Sequence, residues 1–179
     1  MKRAVFLDRD GVLNRAVLVD GAPKPPTSIA EVEILDGVCE AIQILKRNEF
    51  LPVVVTNQPD VARGLVSKNQ TNAINSFIGK CVSIEFFYTC FHDESDFCVC
   101  RKPLPGLIHL AAVDLDIDVT TSFLVGDRWR DIEAAQAAGC RSFFIDYSYP
   151  EKTPSLPFTR VLSLLQAVQI IVGGKYGAK

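Results

Sequence analysis

A chain of 179 residues, 48% hydrophobic and 22% charged, is long enough for one well-buried core and has the composition of an ordinary globular protein. Its net charge of −2 excludes any global attraction to nucleic acid or to an anionic membrane surface. Met1-Lys2-Arg3 leads straight into an apolar run too short for a signal peptide, and no stretch is long enough to span a bilayer. The expected location is therefore the cytoplasm, where six cysteines read as reduced or metal-bound rather than disulfide-bonded.

The first predicted element is a buried parallel strand, Ala4-Val5-Phe6-Leu7, which ends abruptly in Asp8-Arg9-Asp10-Gly11. Two neighbouring carboxylates repel each other, and a divalent cation with a taste for oxygen ligands, Mg²⁺, would offset that repulsion. Gly11 permits a sharp turn and close approach of a ligand. On this stretch alone a strand closing in a polar turn reads equally well. Arg15 to Thr27 carries Gly21, Pro23, Pro25 and Pro26 and reads as an irregular loop or flap. Asp36-Gly37 opens a helix with Val38, Ala41, Ile42 and Leu45 at helical spacing, and Asn48 ends it. A second buried strand, Leu51 to Val55, delivers Thr56-Asn57-Gln58 to the same sheet edge, with Pro52 near its start. Ser67 is the expected N-cap of a helix to about Lys80.

A third strand is predicted over Val82 to Tyr88, followed by a loop from Cys90 to Pro105 dense in cysteine and charge. Pro105 can open a helix through Asp114. Ser122 to Val125 is the fourth strand and ends in Gly126-Asp127-Arg128-Trp129-Arg130-Asp131. A helix then runs through Ala138 and stops at Gly139. Arg141 to Ile145 is the fifth strand, Thr159 to Val172 a last amphipathic helix, and the tail from Gly173 to Lys179 is expected to fray. Strands alternating with helices imply a Rossmann-like α/β/α sandwich with a central parallel sheet in a single domain.

Three strand ends thus offer Asp8 and Asp10, Thr56 and Asn57, and Asp127 and Asp131, while Arg101-Lys102-Pro103 follows the cysteine loop. Each alone could be a solvated loop. Together at one sheet edge they supply acidic cation ligands, a hydroxyl, an amide and a lysine, the groups that phosphoryl transfer requires. In the loop, Cys90, His92, Cys98 and Cys100 place three thiols and an imidazole within eleven residues, a complete set for a closed zinc site. Cys39, Cys81 and Cys140 read as core residues. His109 reads as a structural histidine.

In order, the motifs Asp8-Arg9-Asp10-Gly11-Val12-Leu13-Asn14, Val55-Thr56-Asn57-Gln58, Arg101-Lys102-Pro103 and Val125-Gly126-Asp127-Arg128-Trp129-Arg130-Asp131 resemble those of the haloacid dehalogenase (HAD) superfamily of phosphatases. The resemblance covers nearly the whole chain. It implies that Asp8 is the nucleophile and Asp10 the general acid and base. Thr56 and Lys102 would hold the phosphoryl oxygens, and Asp8, Asp127 and the Asp10 carbonyl would bind Mg²⁺. The zinc loop directly before Arg-Lys-Pro is similar to the branch of heptose bisphosphate and histidinol-phosphate phosphatases. That implies a compact enzyme with no large cap domain, a structural Zn²⁺ shaping the substrate loop, and substrate recognition by Arg101 with Asn57, Gln58, Arg63 and Lys102. The implied partner is a small phosphorylated substrate, a sugar phosphate, acted on by a monomer, with no nucleic acid and no membrane.

Two departures bear on the substrate. Pro59-Asp60 stands where the branch commonly has Ser-Gly, and Arg15 to Asp20 lacks the polar residues expected to hold a sugar. A heptose bisphosphate ranks first and histidinol phosphate or another small sugar phosphate second. A catalytically silent, zinc-stabilised binding module is the rival of another class, opposed by the competent residue at every catalytic position. A nucleic-acid 3′-phosphatase lacks support in the charge distribution.

Overall fold

The computed structural model describes residues 1–19 and 21–174. The expected frayed tail lies, beyond residue 174, outside them. Six parallel strands form the central sheet: β1 (Arg3–Leu7), β4 (Phe50–Asn57), β5 (Phe86–Cys90), β6 (Phe123–Gly126), β7 (Arg141–Ile145) and β8 (Thr159–Val161). Their order across the sheet is β5-β4-β1-β6-β7-β8. The chain leaves β1 for β4 on one side and later returns to β1's other side with β6. The carboxyl end of β1 is therefore the point at which the topology reverses, where open α/β sheets bind ligands.

Side chains alternate across the sheet and split the core in two. Val5 and Leu7 face one way with α1 (Val38–Arg47), α2 (Lys68–Val82) and α5 (Leu164–Val172). Ala4 and Phe6 face the other way with α3 (Gly106–Leu115) and α4 (Trp129–Ala138). Both faces of the sheet are covered, so β1 can be apolar at four consecutive positions, all fully buried. The fold class expected from the alternation of elements is the one observed.

Five local expectations are corrected. The 15–27 segment is not irregular: β2 (Val17–Val19) and β3 (Ala22–Lys24) form an antiparallel hairpin in which Pro23 faces Leu18. In a two-stranded ribbon every strand is an edge, so a proline is tolerated. The third strand starts at Phe86 rather than Val82, because Ile74, Ile78 and Val82 continue the buried face of α2 to Ser83, its left-handed C-cap. The start of the expected last helix, Thr159 to Val161, is instead a sixth strand, β8, hidden in sequence by its three-residue length, and the helix α5 begins only at Leu164. Cys39 and Cys81 are exposed, on the outer faces of α1 and α2, and only Cys140 of that trio is buried. His109 is likewise exposed on α3 rather than packed. Among the described residues, no helix is long and apolar enough to cross a membrane.

Candidate active site

The Asp8 N–H donates to the Val125 carbonyl at 3.0 Å, which ties the end of β1 to β6. The chain then folds on itself. Leu13 and Asn14 N–H groups donate to the Arg9 carbonyl, and Gly11 N–H donates to the Asn14 carbonyl at 2.7 Å. Gly11 has φ +87°, and a Cβ there would stand 2.0 Å from Asp127 Oδ2. Glycine is required on both counts, because the turn presses its backbone against the carboxylate from β6. Gly126 is equally constrained, since a Cβ would lie 2.2 Å from the Asp131 Cβ.

Three carboxylates converge here. Asp8, Asp127 and Asp131 each bring an oxygen within 4.8 Å of the others, and all three residues are buried. Among the described residues no donor makes a well-formed hydrogen bond to either Asp127 oxygen, and the Tyr149 hydroxyl alone acts on this carboxylate as a weak donor. Burial pushes Asp8 up to about 6 against the pull of Lys102, with Asp131 and Asp10 adding to the rise. Burial, then Asp8 and Asp131, hold Asp127 well above the usual carboxylate range. Such a cluster is short of positive charge, and its all-oxygen donor set suits a hard divalent cation. Lys102 supplies part of the missing charge. Its buried Nζ lies 2.9 Å from Asp8 Oδ1, bonds Asp131 Oδ1, and donates to the Val55 carbonyl at 2.8 Å. Burial acts to neutralise this lysine, but Asp131 and Asp8 outweigh it and hold its pKa above the ordinary value. Asp131 also accepts from the Arg128 N–H at the start of α4, so one carboxylate both caps the helix and anchors the lysine.

Asp10 lies apart from this cluster. Its carboxylate accepts from Arg9, from Asn14 Nδ2 at 3.0 Å and from Gln58 Nε2 at 2.8 Å. Gln58 also donates to the buried Thr56 Oγ1 at 2.9 Å. Asn57 grips the Lys102 backbone with both ends of its amide: Nδ2 donates to the Lys102 carbonyl at 3.0 Å, and Oδ1 accepts from its N–H at 3.1 Å. The strand-end asparagine thus places the lysine. Thr56, Asn57, Gln58 and Lys102 all meet at this sheet edge, as the sequence order suggested.

The cysteine loop forms a second cluster. Sulfur–sulfur distances among Cys90, Cys98 and Cys100 are 3.3, 3.5 and 3.7 Å, and His92 Nδ1 stands 3.3 Å from Cys100 and 3.6 Å from Cys90. A tetrahedral ion with sulfur at about 2.3 Å spaces its ligand sulfurs about 3.7 Å apart, so the four residues fit a closed four-coordinate site. Burial pushes the Cys90 thiol up, a rise that a bound metal reverses. The loop is braced on both sides. Arg63 grips Asp93 with two 2.8 Å bonds, holding that carboxyl at about 2, and Glu94 accepts from Arg130 at 2.6 Å. Arg101 Nη1 donates to the His92 carbonyl at 3.2 Å, so Arg63 and Arg101 both engage the loop itself.

Two groups of this site had no individual role assigned from sequence, Asp131 being read only as one of the strand-end acids. Asp131 carries Lys102, and the available signal was its helical spacing, four residues after Asp127. Arg9, between the two acids, is fully buried and bonded to Asp10. Its signal was only its position inside the motif.

A strand-end aspartate beside a buried lysine and two further carboxylates, at the reversal point of a parallel sheet, defines a phosphatase of the HAD type. The HAD-hydrolase-like family model matches residues 99–148. A heptose-1,7-bisphosphate 7-phosphatase of Pasteurella multocida is 38% identical over 149 residues, 77% of this chain and 78% of that protein. The corresponding protein of Bordetella bronchiseptica is 34% identical over 84% of both chains. A crystal structure of D,D-heptose 1,7-bisphosphate phosphatase from B. bronchiseptica, complexed with magnesium and phosphate, superposes with a TM-score of 0.80 at 27% identity, covering 96% of this chain and 99% of that one. A HAD-like phosphatase from Mesorhizobium loti gives a TM-score of 0.78 at 26% identity, covering 97% and 87%. The chain belongs to the HAD-like hydrolases and, within them, to the family of the heptose-1,7-bisphosphate phosphatases. It is a phosphoric monoester hydrolase by family.

Proposed function

We propose that this chain is a Mg²⁺-dependent phosphatase that removes the 7-phosphate of D-glycero-D-manno-heptose 1,7-bisphosphate. The observation that carries the chemistry is Lys102 Nζ, shared between Asp8 and Asp131 beside the buried carboxylate of Asp127. Asp8 attacks phosphorus and becomes an aspartyl phosphate while the sugar alkoxide leaves. Asp10 gives the alkoxide its proton, then takes one from the water that hydrolyses the intermediate. Lys102 and the Thr56 hydroxyl hold the phosphoryl oxygens. Mg²⁺, bound by Asp8, Asp127 and the Asp10 carbonyl, supplies the charge that offsets the carboxylates and the phosphoryl group. Zn²⁺ on Cys90, His92, Cys98 and Cys100 is structural, because four protein ligands leave no open position.

The substrate assignment draws on the relatives, which carry that activity in their names at 34–38% identity. A cavity of about 660 Å³ beside Gly11 has room for the sugar, between the β2–β3 hairpin and the 147–150 segment. Arg15, Leu18, Tyr147 and Tyr149 are on its walls, and Tyr147 donates to the Gly11 carbonyl at 3.1 Å. A single domain with reduced thiol ligands suits the cytoplasm. Phosphate release should be measured over heptose bisphosphate, heptose monophosphates and histidinol phosphate, with and without Mg²⁺. Heptose bisphosphate should give the highest kcat/KM, and only with Mg²⁺. A tenfold preference for histidinol phosphate would overturn the substrate, and no release from any ester would overturn the class.

A further inference from the structure

We propose that Arg9, Asn75 and Thr89 are positioning residues that act on the reaction through Asp10, an inference that rests on reading Asp10 as the acid–base group. Arg9 has no solvent-exposed surface. Its Nε lies 3.2 Å from both Asp10 oxygens, and Nη2 donates to Oδ2 at 2.9 Å. On the far side Nη1 donates to Asn75 Oδ1 at 2.8 Å. Asn75 in turn donates through Nδ2 to Thr89 Oγ1 at 3.1 Å. The chain of bonds runs from the edge strand β5, through the middle of α2, to the carboxylate that handles the proton.

Each link does something definite. A guanidinium bonded only to its sequence neighbour would move with it and fix nothing. The Asn75 carbonyl holds the opposite end of the planar fork, so the fork is set relative to α2, an element distant in sequence. Thr89 fixes the amide's orientation by accepting from its NH₂ group, which leaves the carbonyl facing Arg9. A purely stabilising role explains this arrangement poorly. Burying an ion pair of which one member has no exposed surface is close to neutral against an apolar replacement, since desolvation offsets the attraction. What the arrangement does supply is direction. With Asn14 and Gln58 engaging the same two oxygens, the Asp10 carboxylate is held from three sides. Asn75 lies on the buried face of α2 with Thr71, Ile74 and Ile78, a polar residue where packing alone would select an apolar one. Neither Asn75 nor Thr89 belongs to the catalytic groups, and Arg9 is the link by which their hydrogen bonds reach Asp10.

The test is the leaving-group dependence of Asn75→Leu, with Asp10→Asn as the reference. A poor alkyl leaving group needs its proton delivered, and a nitrophenolate does not. Misplacing a reacting group by about 1 Å costs up to ~10²-fold. Asn75→Leu should therefore lower kcat/KM for an alkyl phosphate about 10–100-fold and for nitrophenyl phosphate less than about threefold. Asn75→Asp, which keeps the acceptor for Arg9, should recover most of the loss. In an Asp10→Asn background Asn75→Leu should have no further effect. Thr89→Val should show the same pattern at smaller size. Thr89 borders a solvent-open cavity at the sheet edge, so that variant keeps the test alive should Asn75→Leu fail to fold. Equal losses for both leaving groups, or a loss that persists without Asp10, would overturn the positioning chain. An Asp10→Asn enzyme indifferent to leaving group would instead remove the acid–base reading and this proposal with it.

Discussion

The two clusters with metal-ligand character are built in opposite ways. Asp8, Asp127 and Asp131 come from two strand ends and a helix start, the first more than a hundred residues from the other two in sequence, and the sheet brings them together in the buried interior. Cys90, buried at the end of β5, and His92, Cys98 and Cys100 in the loop that follows lie within eleven residues of one another, the last three nearer the surface. The first is a cluster under charge stress, with Asp127 held well above the usual carboxylate range and Asp8 raised to about 6. The second is complete in itself. Stress at the carboxylates is what a reaction that delivers a phosphoryl group can use, and completeness at the thiols is what a brace needs. Removing members of each cluster should therefore have different consequences.

The largest effect falls on Asp8. Asp8→Asn should lower kcat by at least ~10⁴-fold, because the amide keeps the shape and loses the nucleophile. The same change removes one buried negative charge, so the metal-free protein should melt at a higher temperature than wild type. A variant that is inactive and also less stable would break the comparison.

Lys102→Ala comes next. It should lower kcat ~10²–10³-fold, as loss of a charge-stabilising group does. It should also destabilise the fold by about 3–5 kcal/mol in the absence of Mg²⁺, because Asp8 and Asp131 lose their buried partner. Denaturant unfolding with and without Mg²⁺ measures this, and Mg²⁺ should return part of the lost stability.

In the thiol cluster the order reverses. Cys98→Ser should abolish stoichiometric zinc by elemental analysis and lower the melting temperature, while kcat/KM falls only several-fold through the loosened Arg101. A wild-type protein that purifies without zinc would remove the brace from the account.

The smallest effect is a pH dependence. Carboxyls raised on folding keep protons that the unfolded chain has already released. Metal-free stability therefore falls as pH climbs from about 4 through about 6. Mg²⁺ displaces those protons, so its stabilising shift in melting temperature should grow between about pH 5 and pH 7. A shift equal at both values would mean that the cluster does not hold the ion.

The same contrast explains what could be read from sequence. The thiol set was legible by residue type and spacing because it is local. The strand ends were legible because apolar runs stopped at polar groups, and the alternation of strands and helices placed them at one edge. Partnerships across the fold were not legible. Nothing in Asn57 or Asn75 announces that one holds the Lys102 backbone and the other the Arg9 fork, since both depend on which helix and loop pack together. The hairpin and β8 escaped because three-residue strands carry too little pattern to register. The late start of β5 reflects α2 continuing its buried face through Val82.

The most direct test of the central claim is to look for the phosphoryl group on Asp8. The Asp10→Asn protein, mixed with Mg²⁺ and substrate and quenched, should carry one hydroxylamine-labile phosphoryl group on the peptide containing residue 8, and Asp8→Asn should carry none. Phosphate release from the wild-type enzyme with no phosphorylated residue 8, in rapidly quenched wild type as well as in Asp10→Asn, would contradict the account.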